Sequence, residues 1–125
     1  MNAFQTLRTD VIVVGAGVAG MSAALHASGR RIVMLTKAAF GEGGASPLAQ
    51  GGVAAALGPT DSPEAHAADT VAAGAGLCHD EVVRAITHEG PARIAELVEW
   101  GALFDRRPDG TLELGREGAH NLDRV

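Results

Sequence analysis

The chain has 125 residues, the length of one modest domain, and its 46% hydrophobic and 20% charged residues are typical of a globular protein. A net charge of -5, with no basic run longer than the pairs at 30–31 and 106–107, argues against a nucleic-acid-binding surface. The single cysteine, Cys78, excludes an internal disulfide and a CxxC site for metal or redox chemistry.

The first apolar run, residues 11–25, is not typical of a signal peptide or of a membrane span. Asp10 precedes it and three glycines interrupt it, and no basic segment or small-residue cleavage pattern frames it. We therefore expect a soluble, cytoplasmic protein without a membrane or nucleic-acid partner.

The opening elements predict an α/β fold. Residues 9–14 ("TDVIVV") are apolar and β-branched, residues 21–28 are rich in helix formers and end before Gly29, and residues 31–36 ("RIVMLT") are a second buried strand. A strand, a glycine turn, a helix and a strand in this order start a Rossmann-like βαβ unit on a parallel sheet.

Residues 58–101 are predicted to be helical. A first helix begins at Asp61 or Ser62 and runs to about Ala73, a second runs from Asp80 to about His88, and Gly90-Pro91 separates a third that closes at Gly101. Trp100 is expected to anchor this third helix in the core.

The rest of the chain, 102–125, is predicted to hold a β-hairpin, with 102–105 and 111–114 flanking Pro108-Asp109-Gly110. The predicted organisation is therefore a single incomplete domain with segments 1–57, 58–101 and 102–125.

A GxGxxG motif lies between the first predicted strand and the helix. Gly15 would permit the tight turn, Gly17 would let the backbone approach a pyrophosphate, and Gly20 would let the helix pack on the strand. The helix N-terminus would supply free N–H groups to the anion. The alternative is that these glycines only form a tight turn.

The second predicted strand ends on Leu35-Thr36-Lys37 and carries no acidic residue of the kind that holds an NAD ribose. A simple NAD site is therefore disfavoured, and Lys37 with the Thr36 hydroxyl would contact the adenosine side of the dinucleotide. The alternative is an ordinary exposed lysine.

The motifs "VIVVGAGVAG", "LTK" and "AQGG" resemble the flavoprotein family that contains L-aspartate oxidase and the flavoprotein subunits of succinate dehydrogenase and fumarate reductase. Within it, "DSPEAHAADTVAAGAG", "LFD" and "REGAH" are similar to the L-aspartate oxidase branch. The resemblance implies FAD as the cofactor. The residues it assigns to FAD, together with the motif glycines, are Gly15, Ala16, Gly17, Val18, Ala19, Gly20, Lys37, Ala45, Ser46, Pro47, Leu48, Ala49, Gln50, Gly51 and Gly52.

The loop "GGASPLAQGGVAAA" suits such a cofactor, because backbone and small side chains can approach a flat flavin closely. Ser46 and Gln50 are its polar members. A flexible linker is the alternative, but a linker would be more hydrophilic. Respiratory members of the family carry a histidine, which bonds FAD covalently, where this chain has Ala45. The resemblance therefore implies non-covalent FAD.

The second segment with chemical content is "REGAH". By resemblance, Glu117 orients the substrate and His120 is a candidate partner for a substrate carboxylate; from the residues alone, an exposed Arg-Glu pair and a loop histidine are the alternatives. The chain departs from the family at Asn121 and at Asp123, where a positive charge is typical. The other histidines lack metal-ligand spacing, and we expect no metal site.

The implied reaction is oxidation of L-aspartate to iminoaspartate, the first step of NAD synthesis, with oxygen or fumarate as the electron acceptor and quinolinate synthase acting on the product. The capping domain and the catalytic arginine are expected beyond Val125, so the isolated 125 residues are expected to be inactive. Two alternatives stay open: part of a soluble fumarate reductase or succinate dehydrogenase type of flavoprotein, and a truncated, non-catalytic nucleotide-binding module.

Overall fold

The computed structural model describes residues 6–49 and 51–124; Gln50 lies outside the described residues. The chain forms two compact units, Met1–Gly51 and Gly52–Val125. The regular elements are, in chain order, β1 (Val11–Val14), α1 (Val18–His26), β2 (Ile32–Leu35), a 3₁₀ turn (Ser46–Leu48), α2 (Pro63–Gly74) and α3 (Asp80–Glu99).

The first unit is a βαβ unit, which confirms the predicted α/β start. β1 and β2 pair in parallel, in a register that runs from Val11 opposite Ile32 to Val14 opposite Leu35. Helix α1 begins at Val18, three residues earlier than predicted, because Gly17 is its N-cap. The last three residues of the glycine motif therefore form the first turn of the helix.

Two glycines of the motif are required by the backbone geometry. Gly15 has a φ of +107°, which L side chains rarely adopt, and its N–H donates to the Leu35 carbonyl at 2.9 Å. A Cβ on Gly20 would overlap the Gly15 carbonyl oxygen and lie 3.3 Å from Val13 Cγ1. Helix α1 can approach β1 this closely only because residue 20 has no side chain.

In the second unit, α2 begins where the sequence predicts. Ser62 is the N-cap, and its hydroxyl accepts from the Ala65 N–H at 3.1 Å. Pro63 occupies the first turn, where its missing N–H costs nothing, and Glu64 lies near the positive end of the helix dipole. The helix ends at Gly74, before Ala75 in the left-handed conformation.

The predicted break at Gly90-Pro91 is wrong, because α3 continues through both residues. Proline usually disfavours helical geometry in the preceding residue by a clash with its Cβ. Gly90 has no Cβ, so the part of the clash that involves this atom is absent. The proline still removes one N–H donor from the backbone hydrogen bonds of the helix. One turn earlier, the buried Thr87 hydroxyl donates to the Val83 carbonyl at 3.0 Å.

The predicted hairpin is present in reduced form. Arg106 and Leu112 form a single antiparallel bridge, supported by Arg107 N–H to Thr111 O and Glu113 N–H to Asp105 O, both 2.9 Å. The flanking residues do not extend into regular strands. Trp100, expected in the core, is 44% exposed, because it is the C-cap of α3 rather than a residue of its packed face.

The core of the second unit is small and partly polar. Its buried apolar residues are Ala55, Ala67, Val83 and Ile94, and its buried polar residues are His66, Asp69, Thr87 and Arg124. Among the described residues, no helix is both long and apolar enough to cross a membrane.

Gly20→Ala tests the close contact between α1 and β1. Alanine at an ordinary helix position stabilises by about 0.5–1 kcal/mol over glycine, whereas here we expect destabilisation of about 1–3 kcal/mol from the overlap with Gly15. Urea unfolding measures the free-energy change. Gly118→Ala is the control, since no atom lies within 4 Å of its added Cβ; a Gly20 variant as stable as this control would show that the contact is not constraining.

Candidate functional site

The N-terminus of α1 presents a set of hydrogen-bond donors in the first unit. Its N-cap, Gly17, offers no side-chain hydrogen bond, and the first helical bond runs from Met21 N–H to Gly17 O at 3.0 Å. The preceding N–H groups of the first turn therefore have no intrahelical acceptor. Together with the helix dipole, these donors favour an anion such as a phosphate.

A cavity of about 180 Å³ lies beside this helix end. It is smaller than the roughly 300–1,000 Å³ typical of a whole ligand pocket, so it suits one part of a dinucleotide. Lys37 lines it and is exposed, while the Thr36 hydroxyl donates to the Ala38 carbonyl. The lining residues are Gly15, Ala16, Gly17, Thr36, Lys37, Ala38, Ala39, Gly41, Gly43 and Gly44.

Ala38, Ala39 and Gly41 in this lining were missed by sequence reasoning. The available signal was the run of small residues after the second strand, "AAFGEGG". Gly43 has a physical reason to be glycine, because an added Cβ would lie 2.8 Å from Ala38 Cβ. The cavity wall is therefore made mostly of backbone and small side chains, the surface that a flat or anionic cofactor needs.

The loop with Ala45 to Gly52 meets the glycine motif at one point within the first unit. Ser46 Oγ lies 3.6 Å from where a Cβ on Gly17 would be. Pro47 and Leu48 follow in the 3₁₀ turn and Ala49 is its C-cap; all three are exposed, with Leu48 84% exposed. Ala45 and Gly51 are exposed as well, so this loop offers small residues and one hydroxyl beside the helix end.

These observations fit FAD. The helix end supplies donors for a pyrophosphate, Lys37 supplies a positive charge at the end of β2, and the cavity is lined mostly by glycine and alanine. A Cβ at Gly20 would displace the motif backbone that forms this site.

The second predicted site lies in the second unit, on residues 115–124, which we call the C-terminal segment. Glu117 is exposed, and a turn brings it close to His120, whose N–H donates to the Glu117 carbonyl at 3.2 Å. Ala119 within this turn has a φ of +68°. The structure therefore places the two residues predicted to bind substrate on one tight turn.

His120 has unused hydrogen-bonding capacity. Its Nδ1 is buried and has no partner among the described residues, as is also true of His66 Nδ1. The two rings pack edge to face, with centroids 5.6 Å apart. No group of three metal-binding side chains occurs in the described part of the chain.

A buried ionic cluster lies next to this turn. Arg124 is 1% exposed; its Nε and Nη2 bind the two carboxylate oxygens of Asp61 at 2.6 and 2.8 Å, and its Nη1 binds Asp69 at 2.6 Å. Asp123, where the family pattern has a positive charge, instead pairs with exposed Arg116 at 2.8 Å. Both arginines of the C-terminal segment are therefore paired, and Arg124 is also buried.

The cluster shifts the protonation equilibria around it. Hydrogen bonds from the Asn121 backbone and from Arg124 lower the pKa of Asp69 to about 2, and the Arg124 hydrogen bonds lower the pKa of Asp61. The two carboxylates raise the pKa of Arg124. Burial, with a smaller effect of Arg124, lowers the pKa of His66 and favours its neutral form.

Sequence reasoning missed this cluster. Asp61 was considered only as a helix cap, and Asp69 and Arg124 were not singled out. The available signal was the pair His66 and Asp69 one turn apart on α2 between small residues, since polar residues on the packed side of a helix need partners.

Comparison with known proteins decides the family, because the FAD binding domain family matches residues 10–125. The chain belongs to this family. FAD is therefore its cofactor.

Relatives and a solved structure agree with this membership. The L-aspartate oxidase of Streptomyces coelicolor is 49% identical over 95% of the chain and 21% of its own length, and that of Synechocystis sp. is 50% identical over 93% and 21%. A mutant FrdA of the E. coli quinol fumarate reductase superposes with a TM-score of 0.85 at 35% identity, over 98% of this chain and 21% of that one. The chain spans about a fifth of the length of these proteins.

The lowered pKa of Asp69 predicts an acid dependence of stability. Because its folded pKa of about 2 is below the ordinary 3.8, the stabilisation is present above about pH 4 and is lost as the pH falls toward 2. The difference in unfolding temperature between wild type and Asp69→Asn should therefore shrink over that range. Glu89→Gln, at an exposed position of α3, is the control; a wild-type advantage that stays constant down to pH 2 would contradict the assignment.

Proposed function

We propose that this chain is the FAD-binding and substrate-orienting part of an L-aspartate oxidase, which converts L-aspartate to iminoaspartate in the first step of NAD synthesis. The observation that carries the proposal is the identity of about half of the aligned residues to L-aspartate oxidases over more than nine-tenths of the chain. Both predicted site segments lie within it. Since the chain spans about a fifth of those proteins, the activity is proposed for a polypeptide of their full length.

In this proposal the first unit is the start of a Rossmann-like FAD site. The N–H groups at the start of α1 bind the pyrophosphate, with Gly15, Ala16 and Gly17 at the turn and Val18, Ala19 and Gly20 in the first helical turn. Lys37 contacts the adenosine side, and the loop Ala45–Gly52, with Ser46 and Gln50 as its polar members, contacts the flavin. FAD, when bound, supplies the acceptor for the hydride removed from the substrate.

The C-terminal segment orients the substrate. L-aspartate differs from succinate by an ammonium group, which the exposed Glu117 carboxylate is suited to bind by a charge-assisted hydrogen bond. His120 is the proposed partner for a substrate carboxylate, and its side chain is half-buried beside Glu117 on the same turn. Holding both ends of the substrate fixes which C–H bond faces the cofactor.

The electron acceptor is proposed to be fumarate or oxygen. The product is proposed to pass to quinolinate synthase, and the setting to be cytoplasmic. The segments 1–57, 58–101 and 102–125 are proposed as the cofactor, helical and substrate-site parts of an incomplete FAD-binding domain.

A fumarate reductase type of flavoprotein is the second candidate, favoured by the 35% identity and TM-score of 0.85 to FrdA. A non-catalytic nucleotide-binding module is the third. Assays of the full-length protein with L-aspartate and with fumarate separate them: oxidation of L-aspartate supports the first, fumarate reduction without it supports the second, and neither reaction despite bound FAD supports the third.

Glu117→Gln tests the substrate assignment in the full-length enzyme. The amide keeps the shape but loses the charge that attracts the ammonium group, so the KM for L-aspartate should rise by about tenfold or more, the loss expected for one charge-assisted bond. Glu113→Gln, an exposed glutamate of the same unit, should leave the KM within about twofold. If the steady-state kinetics of the Glu117 variant equal those of wild type, Glu117 does not bind the substrate.

The mode of FAD attachment has its own test. With Ala45 in place of a histidine, no side chain at this position can form a bond to the flavin, so acid precipitation of the holoenzyme should leave all the yellow colour in the supernatant. A flavin that stays with the precipitated protein would contradict non-covalent binding.

A further inference from the structure

Helix α2 carries two buried polar side chains that face the C-terminal segment. His66 and Asp69 lie one turn apart and are 9% and 8% exposed. His66 packs edge to face against the His120 ring, and Asp69 binds Asn121 and Arg124. One helix face therefore contacts His120, at the end of the turn that carries Glu117, and Asn121 and Arg124 after it.

Asp69 holds the main chain of this segment as well as its side chains. Its Oδ2 accepts from the Asn121 backbone N–H at 3.0 Å and from Arg124 Nη1 at 2.6 Å, while Oδ1 accepts from the Asn121 side-chain amide. A backbone bond to a buried carboxylate fixes the path of the chain more firmly than a contact between mobile side chains does.

The path from Asp69 to Glu117 is short and closed by a turn. Asn121 follows His120 directly, and the His120 N–H donates to the Glu117 carbonyl at 3.2 Å. Any loosening at Asn121 is therefore transmitted to both residues of the proposed substrate site through five residues of backbone.

We propose that Asp69 is a positioning residue of this site: by holding Asn121, it sets the position of Glu117 and His120 without touching the substrate itself. The proposal rests on the proposed function for the identity of the substrate, but the placement of the segment rests on the hydrogen bonds alone.

Asp61 provides a matched control. Its buried carboxylate also accepts two hydrogen bonds from the Arg124 guanidinium. The same carboxylate accepts from the Ser62 N–H. Removing either carboxylate weakens the pairing of Arg124, but only removal of Asp69 releases Asn121.

The first experiment compares Asp69→Ala and Asp61→Ala in the full-length, FAD-loaded protein. Asp69→Ala should raise the KM for L-aspartate by about tenfold or more, as expected for a displaced binding group, with a smaller change in kcat, whereas Asp61→Ala should stay within about threefold. Equal increases in KM for the two variants, or no increase for Asp69→Ala, would overturn the proposal.

A second pair of variants applies even where Asp69→Ala does not fold. Asn121→Asp places a carboxylate opposite Asp69 at an exposed position and leaves Arg124 with both partners, so it should raise the KM by repelling the segment from α2. The double change Asp69→Asn with Asn121→Asp restores an amide–carboxylate pair with reversed polarity and should recover most of the KM. If the KM of the double variant stays as high as that of Asn121→Asp, the charge at residue 121, and not the position of the segment, determines the KM, and the proposal is overturned.

Amide hydrogen exchange tests the positioning role of Asp69 independently of which substrate the enzyme uses. Peptides covering residues 117–122 should exchange faster in Asn121→Asp than in wild type and return toward wild type in the double variant. If wild type does not oxidise L-aspartate, the proposed function fails, while the exchange pattern still decides whether Asp69 holds the segment; unchanged exchange in Asn121→Asp would overturn the positioning role.

Discussion

The second unit depends on the burial of one guanidinium. Arg124 is almost completely inaccessible, and a charge in that environment is stable only with partners of opposite sign and satisfied hydrogen bonds. Asp61, before α2, and Asp69, within it, supply them. Since the apolar core of this unit consists of small and β-branched residues, the ion pairs, rather than a large apolar contact, tie the C-terminal segment to the helix.

In the first unit, a steric constraint determines how closely the helix packs on the sheet. The approach of α1 to β1 is set by the missing side chain of Gly20, and the turn between them by the left-handed conformation of Gly15. This geometry aims the donors of the helix N-terminus at the end of the sheet, where Lys37 follows β2. The helix N-terminus offers donors to the pyrophosphate of a dinucleotide cofactor, and the same glycines that allow the packing leave the turn itself without side chains.

Features set by local chemistry could be predicted from the sequence, and features set by distant contacts could not. The strands, the glycine motif and the Ser62 cap follow from local patterns and are present in the structure. The continuity of α3 was missed because the rule for proline assumes a Cβ on the preceding residue, which Gly90 lacks. The Arg124 cluster was missed because its members are 55 and 63 residues apart, so no local pattern connects them. The site roles of Lys37, Ser46 and Glu117 remain predictions.

The unusual sequence after His120 follows from this arrangement. A cation next to a site for a dicarboxylate would attract substrate, yet Arg124 is neutralised by two aspartates and Asp123 adds a further negative charge beside Arg116. Both arginines of the C-terminal segment are therefore paired with aspartates. In the proposed function, this pairing leaves the exposed Glu117 carboxylate to the substrate ammonium group, the feature that distinguishes an amino acid from its deaminated analogue.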